Sequence, residues 1–209
     1  MGTRGLTAVI LDGEHKIAQY GQWDHYPSGQ GLTALAFCRE AMTDDAKREA
    51  FIANLRRCRF GTPADEAECD AWLASIGVGA NGMMRMDQYD KWKARYPLLA
   101  RDTGAEILGL VAGAESDAQI VVQDSWDFGG DSLFCEWAYV IDATAGTLEV
   151  YRGFNKRTSM GRFASMKPER DGYTPITLAK TYRIGALPDD KEFVEELEKI
   201  AELMRGEEE

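Results

Sequence analysis

The stretch that most constrains the fold is LTAVILDGEHKIAQYGQW, residues 6 to 23. Leu6 to Leu11 is an apolar run, Asp12-Gly13 supplies a tight turn, and Lys16 to Trp23 alternates weakly between apolar and polar side chains. That order predicts a β-hairpin, because Asp-Gly accepts the positive φ of a two-residue turn. A second hairpin is predicted from SLFCEWAYVIDATAGTLEVYRGF. There Phe134, Glu136, Ala138 and Val140 alternate with Cys135, Trp137, Tyr139 and Ile141, and DATAG closes the turn.

Between the hairpins the period becomes helical. Leu32, Leu35, Ala36 and Met42 recur at helical spacing after Gly31, and Thr43 precedes a stripe of Phe51, Ile52 and Leu55. Thr62-Pro63-Ala64-Asp65 combines an N-cap, a first-turn proline and a carboxylate three residues on. Asp87 is placed to cap a further helix that stops at Pro97, and Thr103 another; GVGANG, residues 77 to 82, reads as a flexible joint. AQIVVQDSWDF and PITLAKTYRIG each predict one more strand. Pro188-Asp189-Asp190 opens a terminal helix with Phe193, Leu197, Ile200, Ala201 and Met204 inward and a Glu195 to Lys199 pair outward. Together these predict an α+β fold: a mainly antiparallel sheet built from two hairpins, with a central helical block and a C-terminal helix. At 209 residues and 44% apolar, one domain is expected, divided into first hairpin and loop (1–30), helical block (31–116), second hairpin and strand (117–185) and acidic helix (186–209).

Composition narrows the function classes. No apolar run is long enough for a bilayer span, and the first twenty residues mix Arg, Asp, Glu and Lys, so neither a membrane segment nor a secretory signal is expected and a cytoplasmic location is. Cys38, Cys58, Cys69 and Cys135 form no C-x-x-C pair and His15 and His25 are the only histidines, which argues for free thiols and against structural zinc or another cofactor. Of the net charge of -11, residues 189 to 209 hold ten acids and three bases, so most of the acidity is a tail. Duplex nucleic acid is therefore not an expected partner, whereas an acidic interaction helix is one alternative.

Two segments stand out as candidate sites. QYGQWDHYPSGQG, residues 19 to 31, runs from strand to helix and crowds Trp23 and Tyr26 around Asp24, with Pro27 stiffening the chain and Gly29 and Gly31 allowing close backbone approach. A helix start after such a loop offers free amides to an anion. YRGFNKRTSMGR, residues 151 to 162, carries Arg152, Lys156, Arg157 and Arg162 with no acid, interleaved with aromatic residues that could stack on a nucleotide base. A weaker constellation is Asp124, Asp127, Asp131 and Glu136, whose spacing fits turn formation better than metal binding. Thr3, at the head of the first strand, gives the layout of an N-terminal-nucleophile hydrolase if Met1 and Gly2 are removed, with Arg4 as the neighbouring charge.

MGTRGL, YGQWDHYPSGQG and CEWAYVID together resemble a family of uncharacterised proteins from phages, bacteria and fungi. That family shares an opening Met-Gly-x-Arg-Gly, an aromatic-Asp-x-Tyr-Pro-x-Gly-x-Gly loop and a Glu-Trp-x-Tyr-x-Ile-Asp strand. The resemblance implies that Arg4, Trp23, Asp24, Tyr26, Pro27, Gly29, Gly31, Glu136, Trp137 and Asp142 belong to one arrangement, and it brings no activity with it. The expectation is a small phage- or prophage-type accessory protein, in the host cytoplasm if phage-encoded. It would act by binding a nucleotide-like small anion or a host protein through the Asp24 loop and the Arg157 segment; a hydrolase using Thr3 and an acidic interaction module are the alternatives. A symmetric homodimer through Phe37 and Cys38 is compatible with the sequence.

Overall fold

A computed structural model describes residues 2–79, 81–115 and 118–206. The strands are β1 (Gly5–Leu11), β2 (Glu14–Gly21), β3 (Cys58–Phe60), β4 (Ile120–Val122), β5 (Trp137–Asp142), β6 (Thr147–Arg152) and β7 (Thr177–Arg183). The helices are α1 (Leu32–Phe37), extended by a wide turn on either side, α2 (Asp45–Arg57), α3 (Pro63–Ser75), α4 (Met86–Arg95), α5 (Glu106–Ala112) and α6 (Asp190–Gly206).

Both hairpins form as the turn chemistry dictates. Asp12 and Gly13 take φ of 53° and 83°, and Gly146 closes the second hairpin at φ 67°. The two hairpins then join side by side in one sheet of order β2-β1-β5-β6-β7. Every pairing is antiparallel except the central one, where β1 runs parallel to β5 from Gly5↔Trp137 to Ile10↔Asp142. All residues of β1 and β5 are buried, as suits an inner pair covered on both faces. On one face Val9, Leu11, Tyr139, Ile141, Leu148 and Val150 meet the helices through Phe51, Leu55, Leu108, Phe193 and Leu197. On the other, Leu6, Ala8, Ile10, Ala138, Val140 and Tyr151 meet an irregular layer that supplies Phe163 and Ile176. The fold is α+β with a mainly antiparallel sheet, and the chain contains no described helix long and apolar enough to cross a membrane.

Several local expectations give way to better-placed groups. Asp44 caps α2, accepting from the Lys47 amide at 3.0 Å, while the preceding Thr43 turns its hydroxyl back to the Arg39 carbonyl. Asp87 lies inside α4, paired with Arg85, and the Gln88 side chain satisfies the Arg85 amide. The Thr103 hydroxyl donates to the Pro97 carbonyl at 2.7 Å instead of capping α5. Along α1 and the turn that extends it, Leu35 and Met42 are buried as their spacing predicts, with Ala34 and Cys38 beside them, while Ala36 is exposed; the ion pair along α6 is Lys191 with Glu195. The short strand at Ile120–Val122 exists, but it pairs in parallel with β3 as a second, two-stranded sheet. The joint at 77 to 82 includes residue 80, which is outside the described residues.

Candidate functional site

One end of the main sheet gathers Gly5, Gly21, Trp137 and Arg152, the strand positions that the register aligns there. The segment Gln22–Gly31 caps this end. His25 is its anchor: the side chain is fully buried, and a methyl group on Gly21 or Gly5 would lie 1.8 Å or 2.4 Å from its ring. Only glycine on both strands leaves room for the imidazole, which also stacks on Tyr139 at 6.4 Å. Neither ring nitrogen has a hydrogen-bond partner of normal geometry. Burial lowers its pKa to about 4, a contact with the Trp23 backbone working weakly the other way. His25 is therefore a neutral plug at physiological pH.

The backbone around it is tied down at four points. The His25 amide donates to the Thr3 carbonyl (3.1 Å), the Tyr139 hydroxyl to the His25 carbonyl (2.9 Å), the Gln30 amide to the Asp24 carbonyl (2.7 Å) and the Gly29 amide to the Tyr26 carbonyl (3.0 Å). The glycines serve this packing. A Cβ at Gly29 would sit 2.2 Å from the Asp24 carbonyl, and one at Gly31 would sit 2.7 Å from the Tyr139 hydroxyl. They are seats for backbone and ring, and Pro27 beside them is buried.

What the corner leaves outside is a triad. Trp23 is 51% and Tyr26 40% exposed, and Asp24 between them is exposed and held at φ 58°. The Asp24 carboxylate raises the Tyr26 phenol pKa through its charge and a hydrogen bond. Gly2 lies against the face of Trp23, where a Cβ would come within 2.0 Å of the ring.

Across the same sheet end the aromatic and basic residues form stacks. Arg152 is 7% exposed, with its guanidinium 4.9 Å from the Trp137 ring and 4.9 Å from the Phe154 ring, and it donates to the Glu136 carbonyl at 2.6 Å. Phe154 adopts φ 53°, a left-handed conformation that costs a bulky residue roughly 1–2 kcal/mol. Arg4 lies 4.9 Å over Phe134, with Arg170 5.0 Å from the same ring and paired to the buried Asp131. Burial raises the Glu136 pKa, with the charges of Arg152 and Arg4 opposing it.

The sequence-predicted residues thus divide. Arg4, Trp23, Asp24, Tyr26, Gly29, Gly31, Glu136, Trp137 and Arg152 lie at or next to this end of the sheet. Lys156 and Arg157 are exposed on the loop that follows, Lys156 within 5.6 Å of the Tyr173 ring. Asp142 is at the opposite end, where it pairs with Arg162, which also binds Glu149 at 2.8 Å. That pairing takes Arg162 out of the positive island the sequence suggested. The four acids between 124 and 136 do not act as a unit: Asp124 faces His15 at 3.2 Å and Asp131 binds Arg170. Sequence reasoning missed His25 as the organising residue; its signal is the pairing of two strand glycines, Gly5 and Gly21, which only the register brings together.

An α+β protein with a rigid aromatic corner at one sheet end is what fold and geometry define. No protein-family model, curated protein or solved structure matches the chain.

Proposed function

We propose that the protein is a small accessory protein that acts by binding a protein partner through Trp23, Asp24 and Tyr26. The observation that supports this is the contrast inside one loop: His25 is fully buried and the backbone is held at four points, yet the two flanking aromatic rings remain 51% and 40% exposed. Rigidly held Trp and Tyr side chains are the residues that dominate protein interfaces, because they bury large areas with little conformational entropy left to lose. The exposed charge between them is a carboxylate, which favours a partner with basic or hydrogen-bond-donating groups over the nucleotide-like anion suggested by the sequence. Arg162 is committed to Asp142 and Glu149 and Arg152 is enclosed between two rings, which further weakens the anion reading.

The test is capture by the native protein beside a Trp23→Ala/Tyr26→Ala variant whose fold is checked by circular dichroism. A partner that protects residues 22–30 from hydrogen exchange and binds the variant at least about thirtyfold more weakly supports the proposal. Equal capture by both proteins sinks it. A nucleotide that raises the melting temperature, and no longer does so in Asp24→Ala, would restore the anion reading.

A further inference from the structure

The helices α3 and α4 stand apart from the sheet, and between them and the outer edge of the fold lies a cleft of about 730 Å³. That is within the size range of small-molecule sites. Three aromatic residues from different elements line it: Tyr20 on β2, Phe60 on β3 and Trp92 on α4. Each ring is held by a neighbouring side chain. The Tyr20 hydroxyl donates to Gln22 Oε1 at 2.6 Å and its ring meets Phe128 edge-on at 5.0 Å; Phe60 lies 5.1 Å from His15; the Trp92 indole N–H points to Cys69 Sγ at 3.2 Å. The aromatic walls are thus preformed.

The charges along the cleft differ in how far they are committed. Asp65 is held by two bonds of 2.7 Å from Arg59, and Arg101 donates to Gln22 Oε1. Asp124 shares its charge with His15. Glu66 and Asp70, one turn apart on α3, have no ion-pair partner among the described residues. Two like charges at that spacing repel and weaken the helix that carries them, a penalty that a cation between them would remove. Arg101, the one basic side chain in the lining, donates to a neutral amide and keeps its charge, but it stands against four acids, of which Arg59 neutralises only Asp65, so the lining remains net negative.

Anchored aromatic faces beside free carboxylates are the chemistry that holds an organic cation, the rings through their quadrupoles and the acids through charge. We propose that this cleft binds a small organic cation, a quaternary or protonated amine, independently of the Trp23 corner.

The experiment is a titration of the full chain with choline, benzyltrimethylammonium and spermidine, followed by the Trp92 indole N–H resonance, which a Trp92→Phe variant assigns. The neutral isostere of choline, 3,3-dimethylbutanol, is the control. Saturable shifts of the Trp92 signal by a cation, with the isostere at least about tenfold weaker, support the site. The Glu66→Gln/Asp70→Asn variant, its fold checked by circular dichroism, should bind that cation about tenfold more weakly. The proposal is overturned if none of the three cations gives a saturable shift, if the isostere binds as well as choline, or if the double variant binds unchanged. Failure here leaves the Trp23 corner untouched, since none of its exposed triad lines the cleft.

Discussion

His25 is a buried base without a proton, and its stability contribution depends on pH. Its folded pKa of about 4 lies below the ordinary value of 6.5, so between those values the unfolded chain binds more protons than the native one. Stability from this group is complete above pH 6.5 and declines as pH falls toward 4, at about 1.4 kcal/mol per pH unit and about 3 kcal/mol in all. Urea unfolding at pH 7.5 and pH 5 should show that slope, and His25→Gln should lose the part due to this side chain; an identical slope in the variant would mean that His25 titrates normally. Space around the ring gives a second expectation. Gly21→Ala places a methyl 1.8 Å from His25 Cε1, against a ring that cannot move, and should destabilise by at least about 1–3 kcal/mol in the same assay. A Gly-rich loop reads the same in sequence whether its glycines face a ligand or a neighbouring ring. For that reason Gly29 and Gly31 were legible as close-approach positions, but what approaches them, Asp24 and Tyr139, was not.

At the level of elements, local chemistry decided what the sequence could disclose. The Asp12-Gly13 turn and the alternation of Trp137, Tyr139 and Ile141 are short-range signals, and both hairpins follow them. β3 is three residues continuing directly from α2, with no Gly or Pro between, and it is a strand only because Ile120–Val122 lies beside it. The starts given to α4 and α5 were off by two residues, at Asp87 and Thr103, because Gln88 satisfies the Arg85 amide and the Thr103 hydroxyl turns to the Pro97 carbonyl. The helices also differ in what holds them. Of α3 only Cys69 is buried and of α4 only Gln88, whereas α6 seats Phe193, Leu197 and Ala201 against the sheet and ties Glu196 to the Tyr182 hydroxyl at 2.8 Å. Hydrogen exchange should therefore rank the α3 and α4 amides well below those of β1, β5 and α2 in protection, because opening these two helices exposes little apolar surface. Equal protection would show that α3 and α4 belong to the cooperative unit. Phe193→Ala, by contrast, should lower global stability by about 3–5 kcal/mol in denaturant unfolding.

For the molecule as a whole, the decisive contact is the parallel pairing of β1 with β5. Nothing in either segment announces it, since register between strands far apart in sequence is set by the finished core and not by local pattern. It is also what makes the sheet end a site: it places Gly5 beside Trp137, and so brings the first loop and the second hairpin, each readable alone, to a common edge. A fragment ending at residue 116 keeps both strands of the first hairpin and loses the strand against which β1 packs. It should show no cooperative thermal transition and no near-ultraviolet dichroism, and adding residues 117–209 in trans should restore both; a fragment that melts cooperatively would place the folding nucleus in the helical block.

The same pairing sets a timetable for synthesis. The strand that ends in the middle of the sheet leaves the ribosome first, and the bond from the Asp12 amide to Thr144 spans 132 residues of chain. At about 5–20 residues per second the apolar edge of β1 waits on the order of ten seconds for its partner. During that interval a strand that is apolar but for Thr7 stands open, so the yield of native protein should depend on translation speed and on the chaperones that shield such edges.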